Sequence, residues 1–84
     1  MERHVRVSIS MKRGASEVIA RALKVEAESV SSRRIRVSIE ASNDDVLNLD
    51  FYASDVTAMR AGINSFLRWI DVASYVYDLA FSKN

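Results

Sequence analysis

Hydrophobic and polar residues alternate in three short stretches of this chain, one near its start and two near its middle. The alternating hydrophobic residues are Val5, Val7 and Ile9 in the first stretch, Ile35, Val37 and Ile39 in the second, and Leu47, Leu49 and Phe51 in the third. A period of two residues is that of a β-strand with one buried face. The polar residues Ser42, Asn43 and Asp44 predict a turn that joins the last two strands as an antiparallel hairpin. If this hairpin turns about Asn43, Arg36 faces Asp50 on the outer side of the sheet.

A helical pattern lies between the first and second predicted strands. Ser16 is a candidate N-cap, and Glu17 follows it near the positive end of the helix dipole. The pattern continues to about Ser29. The hydrophobic stripe that is predicted to face the sheet consists of Val18, Ile19, Ala22 and Leu23. The sequence therefore predicts an amphipathic helix that connects these two strands.

The last third of the chain predicts a long helix that begins at Ser54 or Asp55 and ends at about Phe81. No proline interrupts it, and about 26 residues with a rise of about 1.5 Å give a length of roughly 40 Å. A strand of about eight residues spans only roughly 25 Å. One end of the helix must therefore extend past the sheet.

This final helix is hydrophobic on two sides when about 100° of rotation separates successive residues. One broad hydrophobic face holds Val56, Met59, Ile63, Phe66, Leu67, Ile70, Tyr77 and Phe81. A narrow polar strip holds Arg60, Asn64, Arg68, Asp71, Tyr75 and Asp78. A third sector of small and then large side chains holds Ala58, Ala61, Gly62, Ser65, Trp69, Val72, Val76 and Leu79. Because the first helix can cover only part of the third sector, the pattern indicates a partner chain.

The element order strand-helix-strand-strand-helix predicts an α+β fold in a single domain over residues 1–84. The right-handed crossover rule is compatible with a three-stranded antiparallel sheet in the order 1-3-2, with two helices on one face. This unit is similar to a ferredoxin-type unit that lacks its last strand, so the edge of the first strand is uncovered. We therefore expect a two-fold homodimer. Its predicted interface residues are Val5, Val7 and Ile9 along the strand edge, and Trp69, Val72 and Val76 on the overhanging helix.

Composition narrows the classes of function that are open to the chain. Of its 84 residues, 49% are hydrophobic and 27% are charged, with no cysteine and a single histidine, His4. Without cysteine there are no disulfides or thiolate metal sites, and one histidine offers no His pair for a metal. We expect no cofactor, no metal and no enzymatic activity. No hydrophobic run of about 18 residues and no export signal is present, so we expect a cytoplasmic protein without membrane contact.

Basic residues concentrate in the first part of the chain. Residues 1–36 carry nine Lys or Arg residues against four acids, whereas residues 37–84 carry three against seven. Arg6, Arg34 and Arg36 are predicted to lie on the open face of the sheet, where they are candidates for RNA contact. Edge strands also carry outward charges that discourage aggregation. Both interpretations of these arginines, RNA contact and edge protection, remain open from the sequence.

Residues 57–70 read T-A-M-R-A-G-I-N-S-F-L-R-W-I. This run resembles the S-A-L-R-A-x-L-N-S-Y-L-R-W-I signature of the small dimeric subunit of the KEOPS (EKC) complex. Residues 22–26, A-L-K-V-E, are similar to the A-L-x-P-E stretch of that family, with Val25 where proline is usual. Gly62 stands where alanine is frequent, and a glycine inside a helix costs about 0.5 to 1 kcal/mol unless packing requires it.

The resemblance implies a non-catalytic role. KEOPS forms threonylcarbamoyladenosine on tRNA, and a separate ATP-binding and metal-binding transferase subunit performs the transfer. The small subunit forms a homodimer, docks the transferase subunit through its helices and adds to the surface that faces tRNA. The candidates for the docking contact in this chain are Leu23, Arg60, Ala61, Asn64, Ser65 and Arg68. The alternative function is a free-standing dimeric nucleic-acid-binding protein.

Overall fold

The computed structural model describes residues 2–12 and 14–81. Its elements are β1 (Arg3–Ser10), α1 (Ala15–Val30), β2 (Ile35–Ala41), β3 (Val46–Ala53) and α2 (Val56–Phe81). The strands form a three-stranded antiparallel sheet in the order β1-β3-β2. The predicted fold class, element order and strand order are confirmed.

The hydrophobic core lies between one face of the sheet and the two helices. Alternate residues of β2 and β3 point into it, as a period of two requires. The fully or nearly buried helical residues are Ala15, Ser16, Ile19, Leu23 and Ala27 in α1, and Met59, Gly62, Phe66 and Ile70 in α2. Phe51 and Phe66 meet edge to face with ring centroids 5.9 Å apart, and both are fully buried. This contact holds α2 over the central strand.

The hairpin between β2 and β3 turns one residue later than the sequence predicts. Ala41 pairs with Leu47, so the turn centres on Asp44 rather than on Asn43. Asp45 adopts a left-handed conformation with φ 61°, which is typical of the last residue in a three-residue hairpin loop. The shift moves every cross-strand pair by two positions. The predicted pairing of Arg36 with Asp50 is therefore wrong, because Arg36 lies opposite Tyr52 and Ser38 lies opposite Asp50.

The start of α1 is capped from the hairpin and not by Ser16. The helix begins at Ala15 after Gly14, which has φ 76°, and Ser16 is buried inside the first turn. The backbone N–H of Ser16 donates a hydrogen bond to Asp45 Oδ1 at 3.0 Å. Hydrogen bonding to the Ser16 side chain, and then to this backbone N–H, lowers the pKa of Asp45 from its ordinary value. The prediction of Ser16 as the N-cap was wrong because a distant carboxylate supplies the acceptor that a local side chain usually provides.

The predicted inner stripe of α1 is only half correct. Ile19 and Leu23 are buried against the sheet, which confirms that part of the pattern. Val18 is 48% exposed, and Ala22 is exposed as well. The hydrophobic side of α1 is therefore wider than the surface that this chain buries.

At Gly62, α2 approaches the sheet closely. A Cβ atom at this buried position would overlap Ile35 Cδ1 of β2. The absent side chain lets the helix backbone rest on the sheet, which is a packing reason for glycine inside a helix. Gly62 was expected in the sector of α2 that meets another chain, but its neighbour is Ile35 of this chain's own β2.

The ends of α2 agree with the sequence pattern. The helix was expected to begin at Ser54 or Asp55 and begins at Val56, directly after Asp55. Asp55 Oδ1 accepts a hydrogen bond from the backbone N–H of Ala58 at 3.1 Å and so caps the helix. The molecule is 48 Å long, well beyond the span of an eight-residue strand. In the second half of α2, the exposed large hydrophobic side chains are Leu67, Val72, Tyr75, Val76, Leu79 and Phe81. Neither helix in the described part of the chain has the length and hydrophobicity needed to cross a membrane.

Candidate protein interaction surfaces

The free edge of β1 is the first candidate surface. β1 pairs with β3 on one side only, whereas β3 is paired on both sides. The inward residues Val5, Val7 and Ile9 are only half-buried, although the equivalent residues of β2 are buried. The difference arises because α1 packs chiefly on β2 and no helix covers β1 to the same extent. Both the backbone edge and part of the inner face of β1 are therefore available to a partner.

A groove lies between β1 and α2 and extends the exposed inner face of β1. We call it the β1–α2 groove. It is lined by Ile9, Ser10, Met11, Lys12 and Ala15, and by Leu67, Ile70, Asp71, Ser74, Tyr77 and Asp78 of α2. Leu67 is 41% exposed at its margin. The flank of α2 that borders β1 thus offers hydrophobic surface beside an unpaired strand.

Trp69, Val72 and Val76 lie on the opposite flank of α2. Ala58, Ala61, Gly62 and Ser65 line a second groove, together with Val30 at the end of α1 and Ile35 of β2. Trp69, Val72 and Val76 follow Ser65 at spacings of four, seven and eleven residues, which continue the same side of a helix. The structure therefore does not bring the two halves of the predicted dimer set together. Val5, Val7 and Ile9 lie along β1, where Ile9 lines the β1–α2 groove. Trp69, Val72 and Val76 lie on the α1 side of α2.

Three hydrophobic residues of α1 lie beside this second flank of α2, and they were not predicted to be exposed. Val18, Ala22 and Val25 are exposed, with Val25 67% exposed. Ala20 and Lys24, on the other flank of α1, line a hollow beside Ile39 and Glu40 of β2. Val18, Ala22 and Val25 must then lie on the flank that faces α2. Their spacing of four and three residues was the available signal, because it forms a hydrophobic stripe next to the one that is buried.

These residues define one surface, which we call the helical face: Val18, Ala22 and Val25 of α1, with Ala61, Ser65, Val72 and Val76 of α2. The six docking candidates from the sequence divide around it. Ala61 and Arg68 are exposed and Ser65 is partly exposed, on or beside the helical face. Leu23 is 7% exposed and belongs to the core, so it offers no surface. Arg60 and Asn64 lie further round the helix, toward the β1–α2 groove.

The outer face of the sheet carries a network of ion pairs. Asp50 accepts hydrogen bonds from Arg6 Nε and a terminal Arg6 nitrogen at 2.9 Å each, and His4 Nε2 lies 2.7 Å from Asp50 Oδ1. The hydrogen bonds from Arg6 and His4 hold the pKa of Asp50 below its ordinary value. The His4 ring stacks on Tyr52 with centroids 4.5 Å apart. Asp50 is thereby fully engaged within the chain.

Each of the three predicted RNA-contact arginines has a carboxylate partner. Arg6 pairs with Asp50, and Arg34 pairs with Asp55. Arg36 donates to both carboxylate oxygens of Glu2 and lies 4.7 Å above the Tyr52 ring. Their charges are therefore compensated locally. Within residues 2–12 and 14–81, the arginines without such a pair are Arg3, Arg33, Arg60 and Arg68.

The described residues contain no group of three or more His, Asp or Glu side chains that could hold a metal ion. Asp45 of the turn Asp44-Asp45 is committed to the start of α1. The exposed strand edge and the two hydrophobic flanks of α2 are features suited to contacts between proteins.

Comparisons with known proteins show the family of this chain. Residues 2–78 match the family described as "Transcription factor Pcc1". The chain is also 38% identical over 64 residues to a protein of Pyrococcus abyssi (strain GE5 / Orsay) named "KEOPS complex subunit Pcc1". That alignment covers 76% of this chain and 77% of the Pyrococcus protein.

Proposed function

Because this chain belongs to the Pcc1 family, we propose that it is a non-catalytic subunit of a KEOPS complex. In this role it forms a homodimer and docks the subunit that transfers the threonylcarbamoyl group to tRNA in the cytoplasm. The observation that carries the proposal is the exposure of hydrophobic residues on two flanks of α2, with Leu67 on one flank and Val72 and Val76 on the other. Two separate flanks allow one helix to serve two contacts at once.

The homodimer is supported by the edge of β1 and the β1–α2 groove. A two-fold axis beside β1 extends the sheet from three to six strands and covers the half-buried side chains of Val5, Val7 and Ile9. The same operation brings the groove-side flank of α2 next to its symmetry mate, so that Leu67 becomes buried. The edge and the groove are contiguous, so one contact covers both.

Docking of the transferase subunit is supported by the helical face. Small side chains at Ala22, Ala61 and Ser65 let another helix approach closely, and Val18 and Val25 supply hydrophobic area around them. Arg68, at the margin of the helical face, is a polar residue that can fix the alignment of a partner helix. A helix or helix pair of the transferase subunit is the partner that fits this shape.

Replacing alanines of the helical face by glutamate tests the docking contact. We expect Ala22→Glu and Ala61→Glu to abolish capture of the transferase subunit, because each places a charge and a longer side chain where a helix must approach. Lys24→Glu is the matched control on the other flank of α1, and it adds more negative charge than Ala22→Glu. Pull-down and calorimetric titration against the transferase subunit of the same organism measure the effect.

The outcome separates docking from folding and from dimerisation. Ala22→Glu and Ala61→Glu should keep the circular dichroism spectrum and the dimer of the unchanged chain, because both positions are exposed and lie away from the β1–α2 groove. Normal capture by both glutamate variants, or loss of capture by Lys24→Glu, would place the docking contact elsewhere.

A further inference from the structure

Three charged residues of α2 form a line beside the β1–α2 groove. Arg60 lies in the second turn, and Asp71 and Asp78 follow eleven and eighteen positions later, which are close to whole numbers of helical turns. All three are exposed, and Asp71 and Asp78 line the groove. We call this line the charged margin. The inference drawn from it rests on the homodimer proposed above.

The order of charges in the charged margin opposes the helix dipole. Acidic side chains are favoured near the start of a helix and basic ones near its end. α2 has no acidic residue in its first turn and no basic residue in its last, where Asp78 lies. Arg60 has no carboxylate partner among the described residues, and Asp78 has only Lys12 at 3.9 Å, with both side chains largely exposed. The isolated chain therefore gains little from this arrangement.

A two-fold axis beside β1 brings opposite charges together. It sets the two copies of α2 side by side and antiparallel on the same face of the six-stranded sheet. Val5 pairs with Phe51, which contacts Phe66, and Ile9 lines the groove together with Leu67 and Ile70. Val7 lies between Val5 and Ile9. We place the axis at Val7, where it passes next to Leu67 of α2.

The position of Arg60 in this arrangement follows from its distance to the axis. With Leu67 opposite Leu67 of the second copy, Arg60 lies opposite Ser74 of the second copy, because both are seven residues from the axis. Ser74 is small and lies between Asp71 and Asp78 on the same flank. The guanidinium of Arg60 can then reach both carboxylates of the other chain.

We propose that Arg60 of each copy binds Asp71 and Asp78 of the other, and that these ion pairs fix the register and the antiparallel direction of the two α2 helices. Leu67 and Ile63 form the hydrophobic centre between the two symmetric sets of charges. Charge complementarity of this kind selects one alignment over others that would bury the same hydrophobic area.

Charge reversal of the full chain tests the inference. Arg60→Asp gives an entirely acidic margin, and Asp71→Arg with Asp78→Arg gives an entirely basic one. Each variant alone should dimerise about tenfold or more weakly, because both symmetric contacts become repulsive. Mixed in equal amounts, the two variants should form heterodimers, and the triple variant should regain homodimers. Sedimentation velocity gives the dissociation constants, and native mass spectrometry distinguishes heterodimers from homodimers.

Thermal melting at low concentration separates this role from a structural one within the chain. The reversed charges agree with the helix dipole, so the variants should melt no lower than the unchanged chain while they dimerise more weakly. Equal dissociation constants for all variants, with no preference for heterodimers, would overturn the inference and leave the proposed dimer intact. A monomeric unchanged chain would overturn the dimer itself, and this inference with it.

Discussion

Asp50 lies at the centre of the ion-pair network on the outer face of the sheet. Its side chain is 13% exposed and accepts hydrogen bonds from both Arg6 and His4. Its lowered pKa means that the folded state stabilises the ionised form of Asp50 more than the unfolded chain does. The stabilisation is therefore complete above the ordinary pKa near 3.8, and it is lost as the pH falls through the lower folded value.

The first prediction concerns this carboxylate. Asp50→Asn should reduce the free energy of unfolding by about 1 kcal/mol at pH 7, since Arg6 loses a charged acceptor but remains solvated. The difference from the unchanged chain should shrink in acid, as Asp50 itself becomes protonated. Urea denaturation at pH 7 and at acidic pH measures it. Asp44→Asn, in the exposed turn, is the control, and an equal loss in both variants would contradict the assigned role of the network.

A second prediction concerns RNA contact by the assembled complex. Replacement of Arg6, Arg34 and Arg36 by serine should lower the slope of log affinity for tRNA against log salt by less than about three, because each guanidinium must exchange a carboxylate for a phosphate. The preferred tRNA should not change, since phosphate contacts do not read sequence. Filter binding at several salt concentrations measures the slope.

A steep salt dependence of tRNA binding by the isolated chain would instead favour the alternative, a free-standing nucleic-acid-binding protein. The local ion pairs of these three arginines argue against it, since each guanidinium already has a carboxylate partner. Arg34 was expected on the open face of the sheet, but it precedes β2 and pairs with Asp55 at the start of α2.

At the scale of elements, the sequence predicted the order of strands and helices and the strand order of the sheet. Periods of two and of three to four residues depend only on local geometry, so they are visible in the sequence. The register of the hairpin was missed because Asp45 takes a left-handed conformation that extends the loop. The flanks of α2 were also missed. A helical projection shows which residues share a side, but only tertiary packing shows whether that side borders α1 or β1.

Lysine substitutions of Leu67 and Val76 test which flank of α2 makes which contact. Leu67→Lys should abolish the dimer and leave a monomer that still captures the transferase subunit, because Leu67 borders the β1–α2 groove. Val76→Lys, on the α1 side, should keep the dimer and weaken capture. The same substitution is compared at positions that are 41% and 55% exposed, so neither should unfold the chain.

Size-exclusion chromatography with light scattering reports the first effect, and calorimetric titration reports the second. Loss of the dimer in Val76→Lys but not in Leu67→Lys would show that the flanks are assigned the wrong way round.

At the scale of the whole molecule, the chain joins an incomplete sheet edge to a helix with two exposed flanks. In the proposed function, the edge and the groove beside it bind a second copy, and the helical face binds the transferase subunit. Because the two surfaces lie on different sides of α2, occupation of one does not block the other. We therefore propose that the chain connects two proteins and that its function requires both contacts at the same time.

The mass of the complex with the transferase subunit tests this claim most directly. Light scattering of the unchanged chain mixed with that subunit should show an assembly that contains two copies of the chain, held together while the transferase subunit is bound. An assembly with one copy of the chain, or a chain dimer that dissociates when the transferase subunit binds, would contradict the account.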